Sequence, residues 1–290
     1  MTDAPRSKAA AKGERPQAPE PLRVPVADSH CHVDIGYDDQ WLEVATAQAM
    51  AEAVGVDRIV QVGVDVPSSE WSVQAAHTYP RMLATVALHP NEAPRIVQHE
   101  GPDGLERALA RIAELARDER VRGIGETGLD FFRTTGEEDL RWQEESFRRH
   151  IRIAREVDKP VIVHDRDAHD DVVRVLLDEG ATAVVFHCFS GDESLARIAA
   201  EHGWYCSFAG TVTFKNNPHL RRALALLPAD LVLVETDAPF LAPMPHRGKP
   251  NASYLIPLTM RAMAEARGAD LDALCATVSA NTERVFGSFA

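Results

Sequence analysis

The sequence predicts an α/β fold, a (β/α)8 TIM barrel, and three observations support this prediction. A chain of 290 residues with 45% hydrophobic side chains is long enough for one large core, and barrels of roughly 250 residues commonly form a single domain. Short β-branched runs alternate with amphipathic stretches, which implies parallel strands joined by helical crossovers. Eight such runs favour a closed barrel over a doubly wound open sheet, and no GxGxxG turn follows the first run.

The N-terminal segment differs in composition from the rest of the chain. Residues 1–22 are rich in Ala, Pro, Lys and Arg, and they contain few apolar side chains that could offset the entropy lost on ordering. We therefore expect residues 1–22 to form a flexible tail and residues 23–290 to form a single barrel domain.

The individual elements follow from the spacing of apolar residues. The predicted strands are VPVADSH (24–30), RIVQVGV (58–64), LATVALH (83–89), RGIGE (122–126), PVIVH (160–164), AVVFH (183–187), WYCSF (204–208) and LVLVETD (231–237). Apolar residues recur every three or four positions in the helical stretches, which include WLEVATAQAMAEAV (41–54), GLERALARIAELAR (104–117), DLRWQEESFRRHIRIAREV (139–157) and DAHDDVVRVLLDE (167–179). The segment 252–286 is expected to form terminal helices, with Asn281 as a cap or a packing contact.

Charge and composition limit the classes of partner. The formal net charge of −13 predicts a surface that repels nucleic acid and anionic lipid as a whole. A polyanionic substrate would therefore need a local basic patch or metal ions. The four cysteines lie far apart without a CxxC pair, which indicates neither a disulfide framework nor a zinc knuckle. Without an apolar run of membrane-spanning length or a secretory signal, we expect a cytoplasmic protein with no membrane association.

The first chemical signal is the pair His30 and His32. A strand has a period of two, so both imidazoles lie on one side, where they can hold one ion. Taken alone, the pair is somewhat more typical of a polar strand end that makes ordinary hydrogen bonds than of a metal site.

The other strand ends strengthen the metal interpretation. Five of the eight predicted strands end in a metal-ligand residue type, and in a barrel these ends meet at the face where active sites lie. The set comprises His30, His32, Glu126, His164, His187 and Asp237. Four imidazoles and two carboxylates exceed the needs of one tetrahedral ion with an open position, which favours a two-metal site. Glu126 is our choice for the bridging ligand because flanking glycines allow close backbone approach. In the alternative interpretation, His164 and His187 are core histidines with satisfied hydrogen bonds, Glu126 caps a helix, and Asp237 is a buried ion-pair partner.

Several motifs resemble those of a known family. HCHVD, GETGLDFFR, PVIVHDRDA, HCFSG, ETDAPFLAP, PHRGK and NTERVF occur in this order between about residues 26 and 286. In this order and spacing they resemble the TatD family of metal-dependent deoxyribonucleases. The chain departs from the usual family pattern at Thr127, at Asp165, at Asn91 and in the segment 250–253 that follows PHRGK.

The resemblance implies a ligand arrangement and an activity. It implies that His30, His32 and Asp237 hold one divalent ion, that His164 and His187 hold the other, and that Glu126 bridges them. It also implies a deoxyribonuclease, with DNA as the substrate and no obligate protein partner indicated. The mixed imidazole and carboxylate ligands suit Zn, Mn, Fe or Co, with Mg also considered, and the sequence does not identify the metal.

The residues suggest how such an enzyme would act. Two divalent ions activate water and neutralise charge on a scissile phosphate, which suits phosphodiester hydrolysis. We expect Asp237 to act as a general base or to orient water, beside its role as a ligand. Basic residues near the strand ends are candidates for phosphate binding, namely His89, Arg133, Arg166, His246, Arg247 and Lys249. A small basic region favours a 3′–5′ exonuclease acting on a single-stranded or frayed 3′ end.

Two alternative functions use the same fold. One is a metal-dependent esterase or amidohydrolase, such as a D-aminoacyl-tRNA deacylase, in which water attacks carbon instead of phosphorus. The other is a non-catalytic metal-binding scaffold, which the complete ligand set disfavours.

Overall fold

Eight parallel strands form the barrel in the computed structural model, which describes residues 6–8, 14–37 and 41–289. The strands are β1 (Val26–Cys31), β2 (Val56–Val62), β3 (Met82–Val86), β4 (Val121–Asp130), β5 (Val161–Arg166), β6 (Val184–Phe186), β7 (Tyr205–Phe208) and β8 (Val232–Val234). They are hydrogen-bonded in sequence order from β1 to β8. The predicted (β/α)8 TIM barrel is confirmed. A separate short parallel pair joins Arg6–Lys8 to Ile35–Tyr37.

The helices cover the outside of the barrel. They are α1 (Val44–Glu52), α2 (Val66–Thr78), α3 (Glu92–Glu100), α4 (Pro102–Leu115), α5 (Glu137–Glu156), α6 (His169–Asp178), α7 (Glu193–His202), α8 (Pro218–Leu226), α9 (Ile256–Arg267) and α10 (Leu271–Phe286). Aspartates cap three N-termini: Asp65 accepts from Ser68 N, Asp192 from Ser194 N and Asp270 from Ala273 N. Each carboxylate satisfies a backbone amide that has no partner within the helix.

The ends of α7 and α9 follow from glycine. Gly203 and Gly268 adopt the left-handed conformation, with φ of 69° and 60°, directly after the last residue of each helix. Other residue types resist this conformation, so the two glycines stop the helices at these positions.

The barrel closes between its first and last strands without a regular ladder. Cys31 and Ala238 form a single parallel bridge beyond the end of β8. Asp237 N donates to His30 O at 2.9 Å, and His32 N donates to Ala238 O at 2.8 Å. The seam is therefore held at the carboxyl end of the strands, beside the predicted ligands.

A buried carboxylate reinforces the seam. Asp28 on β1 accepts hydrogen bonds from Thr236 N at 3.0 Å, from Thr236 Oγ1, and from Ser253 Oγ at 2.7 Å. Burial raises the pKa of Asp28 to about 7, and its hydrogen-bond donors only partly oppose this. Asp28 thus joins β1 to the segments that follow β8.

Apolar side chains fill the other half of the barrel interior. Six strands contribute to one cluster, which also contains two phenylalanines from the C-terminal region. Its buried members are Ala27, Val60, Leu83, Ile162, Val185, Leu233, Phe286 and Phe289. A larger cluster lies between the strands and the surrounding helices.

The predicted strands and helices differ from the observed ones by up to four residues at one or both ends. The strand predicted at 122–126 continues to Asp130, because the glycine-rich segment stays paired with β5 rather than turning away. Asn281 lies within α10, where Nδ2 donates to Ala229 O and Val232 O at 2.8 Å each. It is therefore a packing contact and not a cap. The terminal helices predicted within 252–286 are present.

Part of the predicted tail contacts the barrel. Leu22 N donates to Val54 O at 3.0 Å, and Tyr254 Oη donates to Pro16 O at 2.6 Å. Residues 1–5 and 9–13 lie outside the described residues, and the boundary at residue 22 stays a prediction. Among the described residues, no helix combines the length and the apolar character needed to cross a membrane.

Acid should destabilise the fold partly through His150. Its Nε2 accepts from Leu88 N at 3.0 Å, while Nδ1 lies 2.7 Å from Ser146 O as donor, so the buried ring is neutral. Burial lowers the pKa of His150 to about 4, whereas the unfolded chain binds this proton near pH 6.5. The folded state should therefore lose up to about 3 kcal/mol as the pH falls from 6.5 to 4.

Urea denaturation at pH 7.5 and pH 4.5 checks the predicted contribution of His150 to acid destabilisation. The free energy of unfolding of the wild type should fall more steeply on acidification than that of His150→Gln, which has no titrating ring. Equal pH dependence in the two proteins would contradict the assignment.

Candidate metal centre

The six predicted ligands converge at the carboxyl end of the barrel. His30 lies near the end of β1 and His32 follows it, so the period of the strand places both on one side. Glu126 lies within β4 and His164 within β5, and His187 directly follows β6. Asp237 follows β8 and reaches the same place through the seam.

The carboxylate of Glu126 stands between two pairs of imidazoles. Its Oε2 atom is 3.6 Å from Nε2 of His30 and 3.6 Å from Nε2 of His32. Its Oε1 atom is 2.7 Å from Nδ1 of His164 and 3.1 Å from Nε2 of His187. Asp237 joins the first pair, with Oδ1 3.9 Å from His30 Nε2 and 3.4 Å from His32 Nε2. Each oxygen of one carboxylate therefore faces a different donor group.

A register shift in β4 sets the position of Glu126. Ile124 pairs with Val161 and Thr127 pairs with Val163, so β4 contains one residue more than β5 over this interval. Such an irregularity re-aims a side chain. A Cβ atom at Gly125 would lie 2.5 Å from the carbonyl oxygen of Ile162, so only glycine allows the two strands to approach this closely.

Hydrogen bonds fix the ring orientation of two histidines. His32 Nδ1 lies 3.2 Å from Val62 O, and His187 Nδ1 lies 3.3 Å from Glu235 Oε1. Both partners only accept, so Nδ1 carries a proton and Nε2 is the nitrogen that faces the centre, where it can bind a metal ion in its deprotonated form. Cys188 N also donates to Glu235 Oε1, at 2.7 Å. A carboxylate behind a histidine is a common support for a metal ligand.

The unpaired nitrogens of His30 test whether the residues fit metal ions. Both ring nitrogens are buried and lack a hydrogen-bond partner, although buried polar groups are normally paired. Nε2 faces the carboxylates of Glu126 and Asp237. A divalent cation would satisfy these groups together, so the donor set fits metal binding.

Three overlapping groups contain donor atoms within 4.8 Å of one another and could hold an ion. They are His30 with His32 and Glu126, His30 with His187 and Asp237, and Glu126 with His164 and His187. A fourth group combines His89, Asp130 and His164. In that group His89 Nδ1 accepts from Asn91 N at 3.2 Å, which leaves the proton on Nε2. His89 Nε2, 3.4 Å from Glu126 Oε1, is thus a hydrogen-bond donor toward the centre rather than a ligand.

The ionisation of the centre reflects its shared charges. Burial favours the neutral acid at Glu126, yet the surrounding histidines, His187 and His89 foremost, hold its pKa well below the usual range. Burial likewise opposes the imidazolium of His187, but the carboxylates of Glu126 and Glu235 raise its pKa well above the usual value. Burial and the neighbouring His187 lower the pKa of His30. Glu126 is therefore an ionised carboxylate, the form that binds metals.

Sequence reasoning missed two supporting residues. Glu235 lies behind His187, and Asp130 Oδ2 lies 3.4 Å from His164 Nε2. Glu235 precedes Asp237 by two residues, and this strand period was the available signal. Asp130 lies four residues after Glu126, and it was missed because the predicted strand ended at residue 126 whereas the observed strand continues to Asp130.

The predicted phosphate-binding residues occupy several environments. Arg166 ends β5 and places its guanidinium 3.9 Å from the centroid of the Phe132 ring. The guanidinium of Arg247 lies 4.7 Å from the centroid of the Phe214 ring. Arg133 and Lys249 are exposed, His246 is half-buried, and His89 is the one that reaches the centre directly.

Comparison with known proteins agrees with this geometry. The family model for "TatD related DNase" matches residues 27–287. The chain belongs to the TatD family. The "Uncharacterized metal-dependent hydrolase TatD" of Mycobacterium tuberculosis is 37% identical over 266 residues, which is 90% of this chain and 98% of the relative. The "3'-5' ssDNA/RNA exonuclease TatD" of Escherichia fergusonii is 33% identical over 246 residues, 82% of this chain and 90% of the relative.

Solved structures support the same fold. The crystal structure of YJJV, a TatD homologue from Escherichia coli K12, has a TM-score of 0.80 and 24% identity, and the match covers 91% of this chain and 98% of that one. A TatD family hydrolase from Entamoeba histolytica has a TM-score of 0.77 and 16% identity over 91% of this chain and 99% of that one. The resemblance seen in the motifs is confirmed, and with it the assignment to a family of metal-dependent hydrolases.

Removing Glu235 should weaken metal binding without removing a ligand. The carboxylate orients His187 and raises its basicity, and loss of such a partner typically costs about 10–100-fold in affinity. Glu235→Ala should therefore raise the Kd for Zn²⁺ or Mn²⁺ in chelator competition by about that factor. Glu283→Gln, which loses an exposed partner of Arg58 at the other end of the barrel, is the matched control. An unchanged Kd in Glu235→Ala would contradict this role.

Proposed function

We propose that this chain is a 3′–5′ exodeoxyribonuclease that hydrolyses phosphodiester bonds of single-stranded or frayed DNA with two divalent ions. The observation that carries the proposal is the position of Glu126, whose two oxygens face separate groups of imidazoles. A carboxylate in this position suits two neighbouring cations.

The ligands divide between two ions. His30, His32 and Asp237 would hold one ion, His164 and His187 would hold the other, and Glu126 would serve both. Bound divalent ions lower the pKa of water and neutralise charge that develops on the phosphate. This mixture of nitrogen and oxygen donors suits several divalent ions.

Asp237 is the better placed carboxylate to accept a proton from water. Its side chain is 15% exposed, whereas that of Glu126 is 6% exposed. Burial opposes ionisation of Asp237, but the hydrogen bond and charge of His32 lower its pKa, so it is ionised at neutral pH. Asp237 therefore combines access to water with the deprotonated form that a general base needs.

Substrate contacts would come from donors at the mouth. The Nε2–H group of His89 points toward Glu126 Oε1 and is available to a phosphate oxygen held at the centre. Arg133, Arg166, His246, Arg247 and Lys249 are the further candidates, in segments that end or follow β4, β5 and β8. The relative from Escherichia fergusonii, whose name describes a 3′–5′ ssDNA/RNA exonuclease, supports this choice of substrate.

Product analysis tests the substrate assignment. The purified protein, supplied with Mn²⁺ or Mg²⁺ and a 5′-labelled single-stranded DNA, should produce a ladder of products shortened stepwise from the 3′ end. A blunt duplex should be degraded more slowly, because its 3′ end is paired. Parallel reactions contain single-stranded RNA, an aryl ester and an aminoacyl-tRNA. Ester turnover without nucleotide release would favour the esterase alternative instead.

Glu126→Ala tests the shared ligand. The variant should lose nuclease activity by at least about 100-fold and bind fewer equivalents of metal by elemental analysis, since one side chain contributes to both positions. Circular dichroism should show an intact barrel. A metal count equal to that of the wild type would eliminate Glu126 as the bridge.

A further inference from the structure

We propose that Phe132 and Arg166 form a stacking surface for one base of the unpaired strand and so select single-stranded DNA. This inference rests on the proposed nuclease function and assigns a specificity role to two residues beside the same site. The two residues are called the stacking pair below.

Phe132 is unusually exposed for an aromatic side chain. Its relative exposure is 60%, the highest among the exposed large hydrophobic residues of the described chain, of which Leu177 at 48% is the next. The guanidinium of Arg166 lies 3.9 Å from the ring centroid and covers one face. The exposure therefore belongs to the other face and the ring edge, which are free to receive a flat partner.

Backbone contacts hold the stacking pair in a fixed position. Asp130 Oδ1 accepts from Phe132 N at 3.1 Å and from Arg133 N at 2.8 Å. Phe131 N donates to Arg166 O at 2.9 Å, which extends the β4–β5 pairing up to the pair. A ring held in this way loses little entropy when it binds a ligand.

The same aspartate connects the stacking pair to the centre. Its second oxygen, Oδ2, lies 3.4 Å from Nε2 of His164, and Nδ1 of that ring lies 2.7 Å from Glu126 Oε1. Arg166 follows His164 by two residues on β5. A short chain of contacts thus sets the distance between the stacking pair and the predicted ligands.

A nucleobase is the partner that this chemistry fits. Bases stack on aromatic rings and on guanidinium planes, and they do so largely without regard to sequence. Inside a duplex both faces of each base are already stacked on neighbours, so an internal base reaches Phe132 only when it is unpaired. A phosphate at the centre and a base on Phe132 would then belong to one short segment of strand.

Pairing a protein change with a substrate change tests the proposal. Phe132→Ala should raise KM for a single-stranded oligonucleotide about 10-fold, with kcat nearly unchanged, because stacking contributes to binding. Oligonucleotides carrying one abasic residue at each of the last four 3′ positions locate the stacked base. At one of these positions, the wild type should show the same rise in KM, and Phe132→Ala should show no further rise.

Matched variants separate stacking from general effects. Phe132→Tyr should retain the wild-type KM, because it keeps the ring. Leu177→Ala removes the next most exposed apolar side chain, on α6, and should leave KM unchanged. A KM for Phe132→Ala equal to that of the wild type, or a defect of equal size on every abasic substrate, would overturn the proposal.

A binding measurement keeps this proposal separate from the nuclease assignment. Glu126→Gln protein should quench the fluorescence of 2-aminopurine at the stacked position, and the added Phe132→Ala change should abolish the quenching. If the wild type releases no nucleotide but quenching depends on Phe132, the nuclease assignment fails and the stacking pair stands. If quenching is absent or does not depend on Phe132, the stacking pair is refuted.

Discussion

One buried carboxylate is shared among imidazoles from several strands. The arrangement of side chains at the carboxyl end of the barrel depends on this interaction. Glu126 brings a negative charge into a region where His30, His32 and His187 are buried, and an uncompensated charge there would be costly. Each oxygen of Glu126 instead faces a separate group of nitrogens. The surrounding polar contacts, such as Glu235 behind His187, make sense as supports for this arrangement.

The contacts that close the barrel are also the contacts that position residues of the site. β8 is only three residues long, so the seam with β1 depends on contacts beyond its end. Those contacts place Asp237 against the backbone of His30, while Asp28 binds Thr236 and Ser253. Ser253 lies in the segment where the sequence departs from the usual family pattern. The departure thus falls on residues that brace the seam.

The sequence predicted the fold and the six converging side chains because both depend on local periodicity. Alternating βα segments fix the barrel, and strand ends of parallel strands meet at one face. Contacts that depend on register between distant segments were not predictable in this way. The donor role of His89 requires its bond from Asn91, and the support given by Asp130 to Phe132 requires β4 to continue past Gly128. Neither of these two contacts produces a periodic pattern in the sequence.

If the proposed nuclease function holds, the distribution of charge accounts for the action of an acidic protein on an acidic polymer. With a net charge of −13, most of the surface opposes long contacts with DNA. Arg166 and Arg247 are held against the rings of Phe132 and Phe214, which fixes two cations at defined positions. Few phosphates would be neutralised in such a complex, and the salt dependence of binding scales with that number. Recognition would then depend on the end of a strand and on its unpaired bases, and these are the features that an exonuclease recognises.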